Sequence, residues 1–200
     1  MKDSIEFFFE FSSPYGYFAA QKIDQIAEQA GRKCIWKPFL LGATFKLTGM
    51  GPLTKQPMRG EYALHDWERL ARYMDVPWKM PDPFPISAVA PSRAFYWVNE
   101  HNPEQARLLA KSLYQALFGE GQDISSPESV ADIASALHVD RQALLDGMQS
   151  DQIKQKLRDE TDAAIERGVF GSPYIIVDGE GFWGSDRLWM VKKWMQSGGW

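Results

Sequence analysis

Phe7-Phe8-Phe9-Glu10-Phe11-Ser12-Ser13-Pro14-Tyr15-Gly16-Tyr17 joins two kinds of structure within eleven residues. Ile5 to Phe11 is an apolar run and reads as a buried strand. Ser13 then has the chemistry of a helix N-cap. Pro14 suits the first helical position, where its missing N–H would be unpaired anyway. The helix that follows is expected over Pro14 to Ala30, on a stripe of Tyr15, Phe18, Ala19, Ile23, Ile26, Ala27 and Ala30, with Gly31 beyond its end. Lys33 to Phe39 alternates around Ile35 and Trp36 and reads as a second strand. The first forty residues are therefore a β-α-β unit with a parallel crossover. A strand running straight into a helix start also offers free backbone N–H groups and the positive end of a dipole to an anion. A plain helix cap is the bland alternative.

Outward from this unit the pattern changes. Leu41 to Asp82 is rich in Gly, Pro and Met, with one helical stretch near Tyr62 to Tyr73. Every pattern from there to Arg167 is helical, with starts at Asn102-Pro103, Ser126-Pro127, Asp140 and Asp151. Strands return at Tyr174 to Val177, followed by a turn over Asp178 to Gly181 and a partner strand from Phe182. Asp186 is read as the cap of a closing helix. The expected class is α/β, a thioredoxin-like β-α-β … β-β-α fold with a large inserted helical domain. Residues 1–40 and 168–200 form the thioredoxin-like part and 41–167 the insertion, whose last helix, about 151–167, packs with the thioredoxin part.

Composition narrows the function. A hydrophobic content of 44% is ample for a core, and 22 basic against 26 acidic residues give a net charge of -4, which argues against a nucleic-acid partner. No apolar run is long enough to span a bilayer, and Phe7 to Phe9 is too short for an export signal, with Asp3, Glu6 and Glu10 around it. Cys34 is the only cysteine, so no internal disulfide forms; a reducing, cytoplasmic setting fits. The same fact argues against dithiol redox chemistry, because the helix start reads Ser13-Pro14-Tyr15-Gly16. His65, His101 and His138 share no ligand spacing, so no metal is expected. The rich aromatic set fits either a bulky core or an aromatic pocket.

Two further turns belong with the Ser13 hinge. Gly171-Ser172-Pro173 enters the third strand and is a candidate cis peptide, against a trans Pro in a loop. Gly184-Ser185-Asp186-Arg187 follows the hairpin, where a carboxylate caps a helix or binds an ammonium group.

With these residues in hand, the chain resembles the 2-hydroxychromene-2-carboxylate isomerases and kappa-class glutathione transferases, a DsbA-like branch of the thioredoxin superfamily. The resemblance rests on Phe9-Glu10-Phe11-Ser12-Ser13-Pro14-Tyr15, Lys37-Pro38-Phe39-Leu40-Leu41-Gly42, Pro57-Met58-Arg59-Gly60-Glu61-Tyr62, Arg93-Ala94-Phe95-Tyr96-Trp97, Gly168-Val169-Phe170-Gly171-Ser172-Pro173 and Phe182-Trp183-Gly184-Ser185-Asp186-Arg187-Leu188. It implies glutathione as cofactor, with Ser13 on its sulfur and Ser172, before Pro173, pairing its backbone with the cysteinyl part. Ser185 and Asp186 resemble the pair that holds the γ-glutamyl head. Arg59 stands where a lysine usually lies near the glycyl carboxylate, keeping the charge but not the geometry. One departure is Thr48-Gly49-Met50-Gly51-Pro52, where the family commonly has an asparagine at the position of Met50; a thioether cannot make a comparable hydrogen bond.

The resemblance thus implies a glutathione-dependent isomerase of 2-hydroxychromene-2-carboxylate or a close analogue, with Lys46 and Met50 in the pocket for a small aromatic carboxylate. It also implies a homodimer. A kappa-like transferase or peroxidase of small electrophiles is the alternative, and a non-catalytic thioredoxin-like binding module is the third reading.

Overall fold

The computed structural model of the chain describes residues 4–200. Four strands form one mixed sheet in the order β2-β1-β3-β4. β1 (Ile5–Phe9) and β2 (Cys34–Pro38) run parallel, with Phe7 opposite Trp36. β3 (Tyr174–Val177) lies antiparallel to β1, with Phe8 opposite Tyr174, and β4 (Glu180–Trp183) is antiparallel to β3. This is the α/β, thioredoxin-like sheet expected from the element order.

β1 is apolar because both of its faces are covered. Phe7 and Phe9 stack at 5.2 Å and meet the edge of Trp36. They belong to one continuous core that runs from the sheet into the helices between β2 and β3 and includes Phe95, Leu113, Tyr114, Phe118 and Leu144. Phe8 faces the other way, onto Phe39, Ala164, Val169 and Ile176. Ala164 brings α9 (Asp151–Glu166) onto that second face.

The first helix differs from expectation. Pro14 to Ala30 is two helices, α1 (Pro14–Ala20) and α2 (Ile23–Gln29), broken at Gln21 and Lys22, where Lys22 has φ -124°. The apolar stripe continues across the break, which is why periodicity does not reveal it. Gly31, at φ +69°, closes the pair. A second difference is α3 (Leu41–Thr48), a helix absent from the sequence reading. Its Gly42 and β-branched Thr44 and Thr48 weaken the helical signal. Thr44 spends its hydroxyl on the Leu41 carbonyl, 2.8 Å away, and on Phe170 O, 3.2 Å away. α4 (Arg59–Met74) begins earlier than Tyr62.

α5 (Val89–His101), α6 (Pro103–Tyr114), α7 (Pro127–Ser135) and α8 (Arg141–Gln149) complete the helical block. Asn102, Ser126 and Asp140 cap their helices through side-chain oxygens, as their residue types dictate. The hairpin turn is the dipeptide Asp178-Gly179, both at positive φ, so β4 starts at Glu180 and not at Phe182. Asp186 does not cap the closing helix. It lies in a single 3-10 turn, Ser185–Arg187, and α10 (Leu188–Ser197) starts after Arg187 with no side-chain cap.

Candidate functional site

The site is assembled where β1 ends. Ser13 caps α1 by accepting a hydrogen bond from Gly16 N at 3.1 Å. The same hydroxyl donates to the Ser172 carbonyl at 3.0 Å. The Ser172–Pro173 bond is cis. Residues 159 positions apart are thereby locked together, both nearly buried. Among the described residues no group accepts from the Ser172 N–H.

Glu10 is the hub beneath this contact. Its N–H donates to Ser172 Oγ at 3.0 Å, and its carbonyl accepts from Ser13 N at 2.9 Å and from the Tyr114 hydroxyl at 2.9 Å. Its carboxylate oxygen Oε2 accepts from Ser12 N at 2.7 Å. Burial pushes this carboxyl up to about 8, with the Ser12 N–H pulling it down as the lesser cause. Burial also holds the Tyr114 phenol well above its ordinary value, with the neighbouring Glu10 as a lesser cause.

Gly16 sits where these groups converge. A Cβ built there would lie 2.5 Å from the Tyr114 hydroxyl and 3.1 Å from Ser172 Oγ. Glycine is needed for space here, since its backbone is ordinary helix.

The third turn joins the same assembly. Gly184 N donates to Pro173 O at 3.0 Å, and Arg187 N to Gly184 O at 3.2 Å. Ser185 and Asp186 therefore follow directly from the cis-Pro turn, and their 3-10 turn packs beside α1. The Asp186 carboxylate is exposed and paired with the Arg187 guanidinium.

Ser13, Ser172, Pro173, Ser185 and Asp186 thus form one connected group. Lys46 and Met50 stand further out. Lys46 is exposed in the last turn of α3, and Met50 is half-buried in the loop after it. Their link to the group is indirect, through Thr44 and Phe170. Arg59 is exposed at the start of α4, with no ion pair among the described residues. α4 is tied to α1 by Tyr15, whose hydroxyl donates to Asp66 at 2.8 Å.

Other candidates separate cleanly. Cys34 is buried in β2, and burial pushes its thiol well up, away from nucleophilic use. Arg93 lies on α5 with its Nε buried and without an acceptor among the described residues. No group of three His, Cys, Asp or Glu among the described residues is placed to hold a metal. The aromatic set is chiefly core: Trp78 stacks on Phe118 at 5.4 Å and on Phe18 at 5.5 Å. A cleft of about 510 Å³ lined by Gln21, Gln115 and Leu137 opens at the far end of α1 from Ser13 and is not part of this site. No helix among the described residues is long and apolar enough to cross a membrane.

Sequence reasoning missed Glu10, Gly16 and Tyr114 as parts of the site. An acid within an apolar run is the one local signal, and it belongs to Glu10. Tyr114 lies 104 residues from its partner and carries none.

Comparison with known proteins bears on the fold and the family. A family model described as a DSBA-like thioredoxin domain matches residues 4–196. The 2-hydroxychromene-2-carboxylate isomerase of Sphingobium xenophagum is 28% identical over 190 residues, covering 94% of this chain and 95% of that one. Glutathione S-transferase kappa 1 of Rattus norvegicus is 26% identical, covering 96% of this chain and 92% of its own length. A solved 2-hydroxychromene-2-carboxylate isomerase superposes with a TM-score of 0.86 at 27% identity, covering 96% of this chain and 94% of that chain.

Proposed function

We propose, from the premise that this chain belongs to the DSBA-like thioredoxin family, that it is a glutathione-dependent isomerase. Its substrate on this reading is a small aromatic carboxylate, 2-hydroxychromene-2-carboxylate or a close analogue, opened to trans-o-hydroxybenzylidenepyruvate. The observation that carries the reading is the Ser13 hydroxyl held against the backbone of Ser172 beside cis Pro173. The relatives that bear the isomerase name support the reaction class.

The donor set fits glutathione. The unpartnered Ser172 N–H would pair with its cysteinyl backbone next to cis Pro173. Exposed Asp186, with Ser185, would take the γ-glutamyl head, and Arg59 the glycyl carboxylate. Lys46 and Met50 would face the second substrate, with Lys46 for its carboxylate. Bound there, glutathione supplies a nucleophilic sulfur that is not consumed.

Ser13 does the remaining work. Its O–H now donates to the Ser172 carbonyl, and turning it outward would put a hydrogen bond on a thiolate. Such a charge-assisted bond contributes roughly 1.5–3 kcal/mol, against ~0.3–1 kcal/mol from a helix dipole. α1 has only seven residues, so the hydroxyl outweighs the dipole. The sum is enough to lower a thiol by roughly one to three pH units.

The reading extends to a role in aromatic catabolism, a cytoplasmic location and a homodimeric assembly. A kappa-like transferase or peroxidase would use the same glutathione residues, so the second-substrate site discriminates the two; Met50, in place of the family asparagine, is what keeps the third reading, a non-catalytic binding module. The test is an absorbance assay of 2-hydroxychromene-2-carboxylate conversion with and without glutathione. Glutathione-dependent turnover supports the isomerase. Glutathione binding without turnover moves the assignment to a transferase or to an isomerase of another substrate, and no saturable binding at millimolar concentration moves it to a binding module.

A further inference from the structure

The Glu10 carboxyl has a neighbourhood unlike that of the other embedded acids. Glu6 is forked by Arg167 and approached by Lys37, and Asp24 is met by Lys111 and Arg107. Glu10 is buried, 8% exposed where Phe9 and Phe11 beside it are 0%, yet no Lys, Arg or His reaches it among the described residues. Its carboxyl receives one donor, Ser12 N–H, from the hinge that also carries Ser13. The titratable group coupled to it from the helical block is the Tyr114 phenol, itself un-ionised. No charged group facing it from Ser172 and its turn is recorded among the described residues. A second negative charge close by in such a medium is strongly disfavoured unless one of the two is protonated.

We infer that Glu10 is a positioning residue whose carboxyl and a thiolate at Ser13 exclude each other's charge, so that the acid stays protonated while the thiolate is bound. The inference rests on the proposed seat of the glutathione sulfur at Ser13. It assigns Glu10 a role that its backbone bonds alone would not need: the N–H and carbonyl align Ser172 and Ser13, and the neutral side chain leaves room for the anion's charge. Coupling of this kind is reciprocal. Ionising Glu10 weakens thiolate binding by the same factor by which the thiolate tightens the proton on Glu10.

The test is a carbon-13 NMR titration of glutamate carboxyls in the full chain, free, with saturating glutathione, and with S-methylglutathione, which has no ionisable thiol. In the free protein one carboxyl should titrate near pH 8 and vanish in Glu10→Gln. Glutathione should raise that midpoint by at least one pH unit, a tenfold tighter proton, and S-methylglutathione should leave it in place. In Glu10→Gln the bound thiolate, read by its ultraviolet absorbance, should persist at alkaline pH where the wild type loses it. A merely structural Glu10 would move the melting temperature but neither pH midpoint. Saturable glutathione binding with an unmoved Glu10 midpoint, or a carboxyl titrating in the ordinary range, overturns the inference alone. Absence of saturable glutathione binding overturns the functional reading, and the inference with it.

Discussion

The Ser13 hydroxyl donates a hydrogen bond of 3.0 Å to the carbonyl of Ser172. One side chain thus closes the gap between the end of β1 and the turn before β3, and it is also the cap of α1. Structure and proposed chemistry draw on the same oxygen, so one mutation removes both and their contributions are told apart by reading stability and turnover separately.

Ser13→Ala removes both. The lost cap should lower stability by about 1 kcal/mol. The lost hydrogen bond to a thiolate, roughly 1.5–3 kcal/mol, should lower turnover at saturating glutathione by roughly 10- to 150-fold. Glutathione affinity should change much less. Steady-state kinetics and urea unfolding on one preparation read the two effects; unchanged turnover at saturation sinks the catalytic role.

Glu10→Gln should stabilise the protein, with a pH dependence of definite sign. The folded carboxyl, pushed up to about 8, holds its proton more tightly than the unfolded one at 4.5. The folded state therefore binds the extra proton between these values, and wild-type stability falls as pH rises through that window. Below pH 4.5 both states are protonated and the variant gains nothing. By pH 7 the gain is at most about 3 kcal/mol at 1.36 kcal/mol per pH unit. Melting temperatures at pH 4.5 and pH 8 decide it: a constant difference between wild type and variant contradicts the buried neutral acid.

Gly16→Ala should destabilise by about 1–3 kcal/mol, because its methyl group would meet the Tyr114 hydroxyl at 2.5 Å. Tyr114→Phe in the same chain removes that oxygen and should recover part of the loss. Equal stability of the single and double variants in urea would show that the crowding is relieved elsewhere.

Asp186→Ala should leave folding within about 0.5 kcal/mol, since Asp186 is exposed and caps no helix. Its effect should appear instead as weaker glutathione binding by calorimetry. A stability loss with unchanged affinity would restore the cap that the structure does not contain.

Much of this was legible in the chain because it is written in short-range rules. Ser13-Pro14 announces a helix start, Asp178-Gly179 a hairpin, and Gly171-Ser172-Pro173 an awkward entry into a strand, each through what one or two residues can do with φ or an N–H group. The break at Lys22 and the helix over Leu41–Thr48 were not legible, because a rotation of one residue leaves an apolar stripe intact and a Gly- and Thr-bearing helix has little stripe to show.

By itself the sequence determined the α/β order, the cap chemistry of Ser13, and the lack of any cysteine at the helix start. These depend on residue identity and neighbours along the chain. Tertiary structure alone decided that the Glu10 carboxyl is buried and pushed up, that Tyr114 reaches under Gly16, that Asp186 stands free of α10, and that the aromatic wealth is chiefly core. Burial and partner choice set those properties, and the partners lie 104 and 162 residues from Glu10, brought into reach only when the sheet closes.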